Sequence, residues 1–273
     1  MSSNPAGSSS SDNRPIGVFD SGLGGLTVLR ALRDAFPTEN FLYLGDTARL
    51  PYGSKSPETI RKYSEQNLHF LARNDVKAMV IACNSASTQM RDDSFDGKPL
   101  YNVIDPGAQA AVKASSRGRI GLMGTRATVN SGAYAEEIKK LKPDFQVFSQ
   151  ACPLLVPLAE EGWDADPVTN LIVYRYLQTL MQEQIDTLIL GCTHYPLLAG
   201  SIQRVTGSSV ALVDSGEAIA ELMRNDFTSG RLKKSDSDNG TIRICITDAS
   251  GPFEGLSRKI LGGDAPAPEL TNI

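Results

Sequence analysis

The chain of 273 residues has no closely spaced cysteines. Its four cysteines, Cys83, Cys152, Cys192 and Cys245, are scattered and form no CxxC pair, which excludes the usual zinc knuckles and a small disulfide scaffold. Long apolar runs are missing too. Stretches such as residues 187–190 fall far short of the roughly 20 residues that a membrane-spanning helix needs. The opening MSSNPAGSSSSDNRP holds no apolar stretch, so no secretory signal is expected, and its Ser, Asn and Gly content reads as a disordered tail over residues 1–14. Positive charge is not in excess. The formal net charge is -4 and no basic stripe is visible, so nucleic acid is not an expected partner. An anionic small molecule stays compatible, because the local field of a cleft can oppose the net charge. These absences together lead us to expect a cytoplasmic protein with free thiols and no membrane contact.

What is present is an ordinary globular composition, 41% hydrophobic and 21% charged, on a chain long enough for two domains. Short β-rich runs alternate with helical periods, which predicts α/β architecture with mainly parallel sheets. Strands are expected at residues 16–19, 40–44, 78–82, 120–123, 145–148, 187–190 and 241–246. Helices are expected after the glycine-rich turn that follows Asp20, over 57–73 with Ser56 as cap, after Asp166-Pro167, and near 254–261. The series occurs twice. Cys83 follows Asp20 by 63 positions and Cys192 follows Thr125 by 67; Asp46 and Cys152 follow the same two starting points by 26 and 27. We therefore expect two similar α/β/α domains, related by a pseudo-twofold axis, with the active site in the cleft between them. The expected division is 15–105 plus 215–273 for the first domain and 106–214 for the second.

The strongest local signal is a pair of segments, Val80-Ile-Ala-Cys83-Asn84-Ser85-Ala-Ser87 and Leu188-Ile-Leu-Gly-Cys192-Thr193-His194-Tyr-Pro196. Each is an apolar strand that runs into a cysteine and then polar residues near a helix start. In open parallel sheets the carboxyl ends of strands border the ligand crevice. A thiol at a helix start gains thiolate character, and the free N–H groups beside it can hold a carboxylate. Cys245 sits mid-strand and reads as core; Cys152 reads as packing. Gly17-Val-Phe-Asp20-Ser21-Gly22-Leu-Gly24-Gly25 invites comparison with a dinucleotide fingerprint. The third glycine position is Thr27, however, and Asp20 stands where a pyrophosphate would be repelled. Asp20 instead reads as a polar helper in the crevice, with glycines bringing backbone close to a ligand. His69 reads as a surface residue without a partner. A hydrolase built on Cys192 and His194 is disfavoured, because close neighbours at a helix start point apart and no orienting third residue is evident.

Asp20-Ser21-Gly-Leu-Gly-Gly-Leu, Pro51-Tyr52-Gly53, Ala82-Cys83-Asn84-Ser85-Ala-Ser and Gly191-Cys192-Thr193-His194-Tyr-Pro-Leu-Leu resemble the signature segments of the glutamate racemases, in the aspartate/glutamate racemase family. The resemblance runs from about Pro15 to about Arg224. It implies a cofactor-independent racemase that acts on glutamate and supplies D-glutamate for peptidoglycan, with no metal and with a homodimer compatible. By resemblance Cys83 and Cys192 are the two acid/base catalysts, assisted by Asp20 on one side and by His194 and Glu160 on the other. The substrate contacts it implies are Asp20, Ser21, Pro51, Tyr52, Gly53, Asn84, Ser85, Thr125, Thr128, Thr193 and His194. Ser85 departs from the threonine usual in the family but keeps the hydroxyl. Related aspartate racemases usually carry glutamate where this chain has His194, which favours glutamate as substrate. The alternatives are a racemase of aspartate or another amino acid, and a non-catalytic binding protein on the same scaffold.

Overall fold

The computed structural model of the chain describes residues 11–249 and 253–273. Strand and helix first alternate through β1 (Ile16–Asp20), α1 (Leu26–Ala35), β2 (Phe41–Gly45), α2 (Pro57–Arg73), β3 (Ala78–Ile81) and the one-turn α3 (Asn84–Ser87). A small hairpin follows, β4 (Ser94–Phe95) and β5 (Lys98–Asn102), and then α4 (Ile104–Ala114). The second series is β6 (Arg119–Gly124), α5 (Arg126–Ser131), α6 (Ala133–Leu141), β7 (Gln146–Ala151), α7 (Leu155–Glu160), α8 (Pro167–Gln182), β8 (Thr187–Gly191), α9 (Ala199–Thr206) and β9 (Ala211–Asp214). The rest comprises α10 (Ser215–Ser229), β10 (Ile242–Ile246), α11 (Phe253–Leu261) and β11 (Glu269–Leu270).

The strands form two sheets, ordered β11-β10-β2-β1-β3-β5-β4 and β7-β6-β8-β9. Every pairing is parallel except the β4–β5 hairpin. The cores of the two sheets share one winding. β2-β1-β3-β5 and β7-β6-β8-β9 both place the second strand of a series outside the first and the third on its other side. That reversal of direction is the switch point at which α/β sheets open a crevice at the carboxyl ends of their strands. Asp20 ends β1 and Gly124 ends β6; Cys83 lies two residues past the end of β3 and Cys192 one past the end of β8. The repeat of spacing in the sequence is thus a repeat of topology.

Alternation along the buried strands sorts side chains into layers. Ile16, Val18, Ala78, Val80 and Ala82 face α1, α10 and α11, whereas Phe19, Met79, Ile81 and Cys83 face α2. In the second sheet Leu188, Leu190 and Cys192 pack toward α8, and Ile189 toward α4 and α6. Both cysteines therefore lie in corresponding layers. Helix starts are set by local chemistry. Ser56 accepts from the Thr59 N–H at 3.3 Å and Pro57 opens α2; Asp166 accepts from the Val168 N–H at 2.7 Å and Pro167 opens α8.

Some expectations need correction. No element was expected over 94–114, where the structure has β4, β5 and α4, nor at β9 or α10. Residues 1–10 of the expected tail lie outside the described residues. Residues 11–14 are tied to the body: the Asp12 N–H donates to the Lys234 carbonyl at 3.0 Å, and the Lys77 ammonium donates to the Asp12 carbonyl at 2.6 Å while pairing with Glu39 at 2.5 Å. His69 is exposed as expected but has partners, Asp96 at 3.4 Å and the Phe95 ring edge. Cys245 is fully buried in β10. Among the described residues no helix is long and apolar enough to cross a membrane, and no cluster of side chains has the makeup of a metal site.

Candidate active site

The carboxyl ends of β1 and β3 face those of β6 and β8 across a narrow cavity of about 30 Å³, smaller than ligand sites usually are. Cys83 and Cys192 both line it, and both are almost wholly buried. Around them stand Ser21, Pro51, Tyr52, Gly53, Asn84 and Ser85 from the first lobe, and Thr125, Glu160, Thr193 and His194 from the second. A wider hollow of about 310 Å³ adjoins the cavity and shares Leu50, Pro51, Gly53, Thr125, Val156 and Glu160 with it.

Two expected contacts do not reach this cavity. Asp20 is fully buried behind Ser21, where its carboxylate accepts from the Gly22 N–H at 2.9 Å and from the Thr193 hydroxyl at 3.3 Å. Thr128 is fully buried, 3.0 Å from the Thr125 hydroxyl, which caps α5. Tyr52 lines the cavity, but its phenol is spent elsewhere: it donates to Asp46 and accepts from Asn67. Gly22, Leu50 and Val156 also line the cavity; none was among the expected contacts, although Gly22 lies in the glycine-rich motif. Ser21 and Gly22 of the glycine-rich turn border the cavity, while Gly24 lets one lobe meet the other. A Cβ on Gly24 would lie 2.3 Å from Thr193 Oγ1 and 2.4 Å from His194 Nδ1, and a Cβ on Gly53 would lie 2.6 Å from Thr125 Cβ. Thr27, in the place of the missing third glycine, has its hydroxyl 2.9 Å from the Thr193 carbonyl.

The two thiols have unlike surroundings. Cys192 Sγ lies 3.8 Å from His194 Nδ1, and His194 Nε2 lies 3.1 Å from Glu160. The residues around the second cysteine therefore do converge, and Glu160, expected there by resemblance, stands where it can orient His194. Burial alone would lower the proton affinity of His194; its hydrogen bonds with Cys192 and Glu160, and their charges, outweigh that and push its pKa up to about 10. Cys83 has the Ser21 hydroxyl, at 3.7 Å, and the Ala86 N–H, and no ionisable hydrogen-bond partner. Burial, and then the charge of Asp20, push its thiol up to about 12. Asp20 itself is raised above the usual carboxylate range by burial, against the opposing charge of His194 and the Gly22 N–H. The site thus holds a protonated thiol on one side and a sulfur beside an imidazolium on the other.

The raised His194 has a consequence for stability. A group whose folded pKa exceeds its free value of 6.5 stabilises the fold fully below that pH, and the contribution is lost as pH rises through about 10. Urea midpoints should therefore fall between about pH 6.5 and 10, and His194→Gln should flatten the fall. An equal fall in the variant would assign it to other groups.

Residues 18–223 match the family model for Asp/Glu/Hydantoin racemase. The chain belongs to that family. This racemase is 46% identical over 261 residues to a glutamate racemase from Syntrophus aciditrophicus, with 95% of this chain and 97% of the relative covered. Among solved structures it is similar to a glutamate racemase from Bacillus anthracis (TM-score 0.90, 33% identity, 95% of this chain and 98% of that one). It is also similar to the Francisella tularensis glutamate racemase solved with D-glutamate (TM-score 0.88, 35% identity, 95% and 98%). The family fold explains why two lobes of the racemase share one winding: a pair of mirror-image ligands is met by a pair of similar walls.

Proposed function

We propose that this racemase interconverts L- and D-glutamate without a cofactor, with Cys83 and Cys192 as acid/base groups on opposite faces of the α-carbon. The observation that carries the reading is that both thiols line one cavity, one from each lobe. Removing the α-proton from one face and returning one to the other needs a base and an acid that are not the same group. One thiol, as thiolate, takes the proton while the other, protonated, gives one; substrate of the opposite hand exchanges the roles. His194 can pass its Nδ1 proton to Cys192 and is held in register by Glu160. Asp20 serves the Cys83 side through the charge of its carboxylate. The developing negative charge is met by donors already in place at Ser21, Asn84 and Ser85.

The lobes of this reading are residues 15–105 with 215–273, and 106–214. Supporting it, α10 packs on α1 and β10 pairs with β2. Glutamate as the substrate is supported by the relatives that act on it, one of them solved with D-glutamate. The product would supply peptidoglycan synthesis in the cytoplasm.

The test is purified protein in heavy water with L- or D-glutamate and no added cofactor. Deuterium should enter at the α-carbon and optical rotation should decay to zero. Inversion without isotope exchange, or no exchange with either hand, would sink the reading. Aspartate, one methylene shorter, should react with a kcat/KM lower by roughly 10–200-fold.

A further inference from the structure

Asn84 follows the first cysteine and lines the cavity, yet its amide is held from the other lobe. Its Oδ1 accepts from the phenol of Tyr134, on α6, at 2.7 Å. Its Nδ2 is buried and has no hydrogen-bond partner. Buried donors are seldom left unpaired, so a ligand in the cavity is the natural acceptor. Tyr134 is fully buried, its ring edge so near Gly107 that a Cβ there would come within 3.1 Å. The one proton of the phenol has two acceptors in reach, Asn84 Oδ1 at 2.7 Å and the Val103 carbonyl at 3.5 Å, and the shorter contact takes it.

A side-chain amide has two ends of nearly equal shape, one donating and one accepting, so packing alone does not choose between them. A hydroxyl that donates to one end does choose. We propose that Tyr134 is a positioning residue, which fixes the Asn84 amide so that its N–H, and not its carbonyl, meets a substrate carboxylate. This rests on the racemase reading above, in which the ligand is anionic. Turned the other way, Asn84 would present an oxygen to that anion and repel it. The second cysteine's neighbour is held in mirrored fashion. Thr193 donates to Asp20 at 3.3 Å, and its carbonyl lies 2.9 Å from the Thr27 hydroxyl. Each lobe thus aims the polar residue that follows the cysteine of the other, and the donors are set only when the lobes meet.

Tyr134→Phe removes the hydroxyl and keeps the ring. KM for both enantiomers should rise about tenfold, the scale of one lost hydrogen bond to a charged group, while kcat changes by less than about threefold. Asn84→Ala should raise KM at least as much. In the Asn84→Ala background, Tyr134→Phe should then add less than about twofold, because the hydroxyl acts through an amide no longer there. Asn84→Asp puts an oxygen where the N–H stands and should raise KM further than Asn84→Ala; it tests the donor even if Tyr134→Phe fails to fold, and an unchanged KM would overturn the proposal. Independent, multiplying effects in the double variant would overturn the proposal and make Tyr134 a packing residue. If Asn84→Ala leaves KM unchanged, Asn84 does not bind substrate and the inference falls; if the wild-type protein shows no exchange in heavy water, the racemase reading itself has failed.

Discussion

Serine in place of either Cys83 or Cys192 should lower racemisation of both glutamate enantiomers by roughly 10²–10⁴-fold, the usual worth of a positioned acid or base. The substitution keeps the size of the side chain and replaces a thiol with a far weaker acid. On the first-lobe side the margin is already thin, since burial and Asp20 push the Cys83 thiol up to about 12. A hydroxyl in the same place has no accessible anionic form near neutral pH. The two variants should also differ from each other. Each keeps one working thiol, so each should still wash solvent deuterium into the one enantiomer whose α-hydrogen faces that thiol, without inverting it. Proton NMR in heavy water reads the exchange, and circular dichroism reads the inversion. A single variant with near-normal racemisation would remove its cysteine from the mechanism.

Gly24→Ala should lower kcat/KM by about 100-fold or more, although residue 24 does not line the cavity. The backbone there is not left-handed, so the glycine is required for space and not for conformation. The added methyl would lie 2.3 Å from Thr193 Oγ1 and 2.7 Å from His194 Cε1. Neither can step aside: both are buried, Thr193 is held by Asp20 and His194 by Glu160. The lobes must part, or the chain from His194 to Cys192 must break. Displacements of about 1 Å at a reacting centre cost on the order of 100-fold. Overpacking should cost about 1–3 kcal/mol of stability as well. Gly22→Ala is the contrast, because its Cβ would meet only Leu50 Cδ2 at an ordinary 3.4 Å. Kinetics and thermal melts of the two variants decide the matter, and a Gly24→Ala protein with wild-type kcat/KM refutes the tight seating of the lobes.

Much of the fold could be read from the chain because its signals are local. Ser56-Pro57 and Asp166-Pro167 announce helix starts, and the buried runs that end at Asp20, Cys83 and Cys192 announce strands. β5 opens on Lys98-Pro99 beside the edge of its sheet, and this disguises it. The pairing of the two cysteine segments was also legible, since it rests on spacing. What the chain could not disclose is everything that one lobe does to the other. Gly24, Thr27 and Tyr134 act on Thr193, His194 and Asn84, residues far away in sequence, and no periodicity records such contacts. Nor does the chain disclose that Asp20 and Thr128 stand behind residues that line the cavity.

The second sheet is drawn from one unbroken stretch of chain, whereas the first receives β10 and β11 only after the second is complete. During synthesis, then, the free edge of β2 waits beside the ribosome while some two hundred further residues emerge. Strands left open in this way are the ones that join the wrong neighbour. A nascent chain stalled before residue 242 would carry both thiols and still lack the strand that covers this edge, so proteolytic surveillance of truncated products should recognise it through β2.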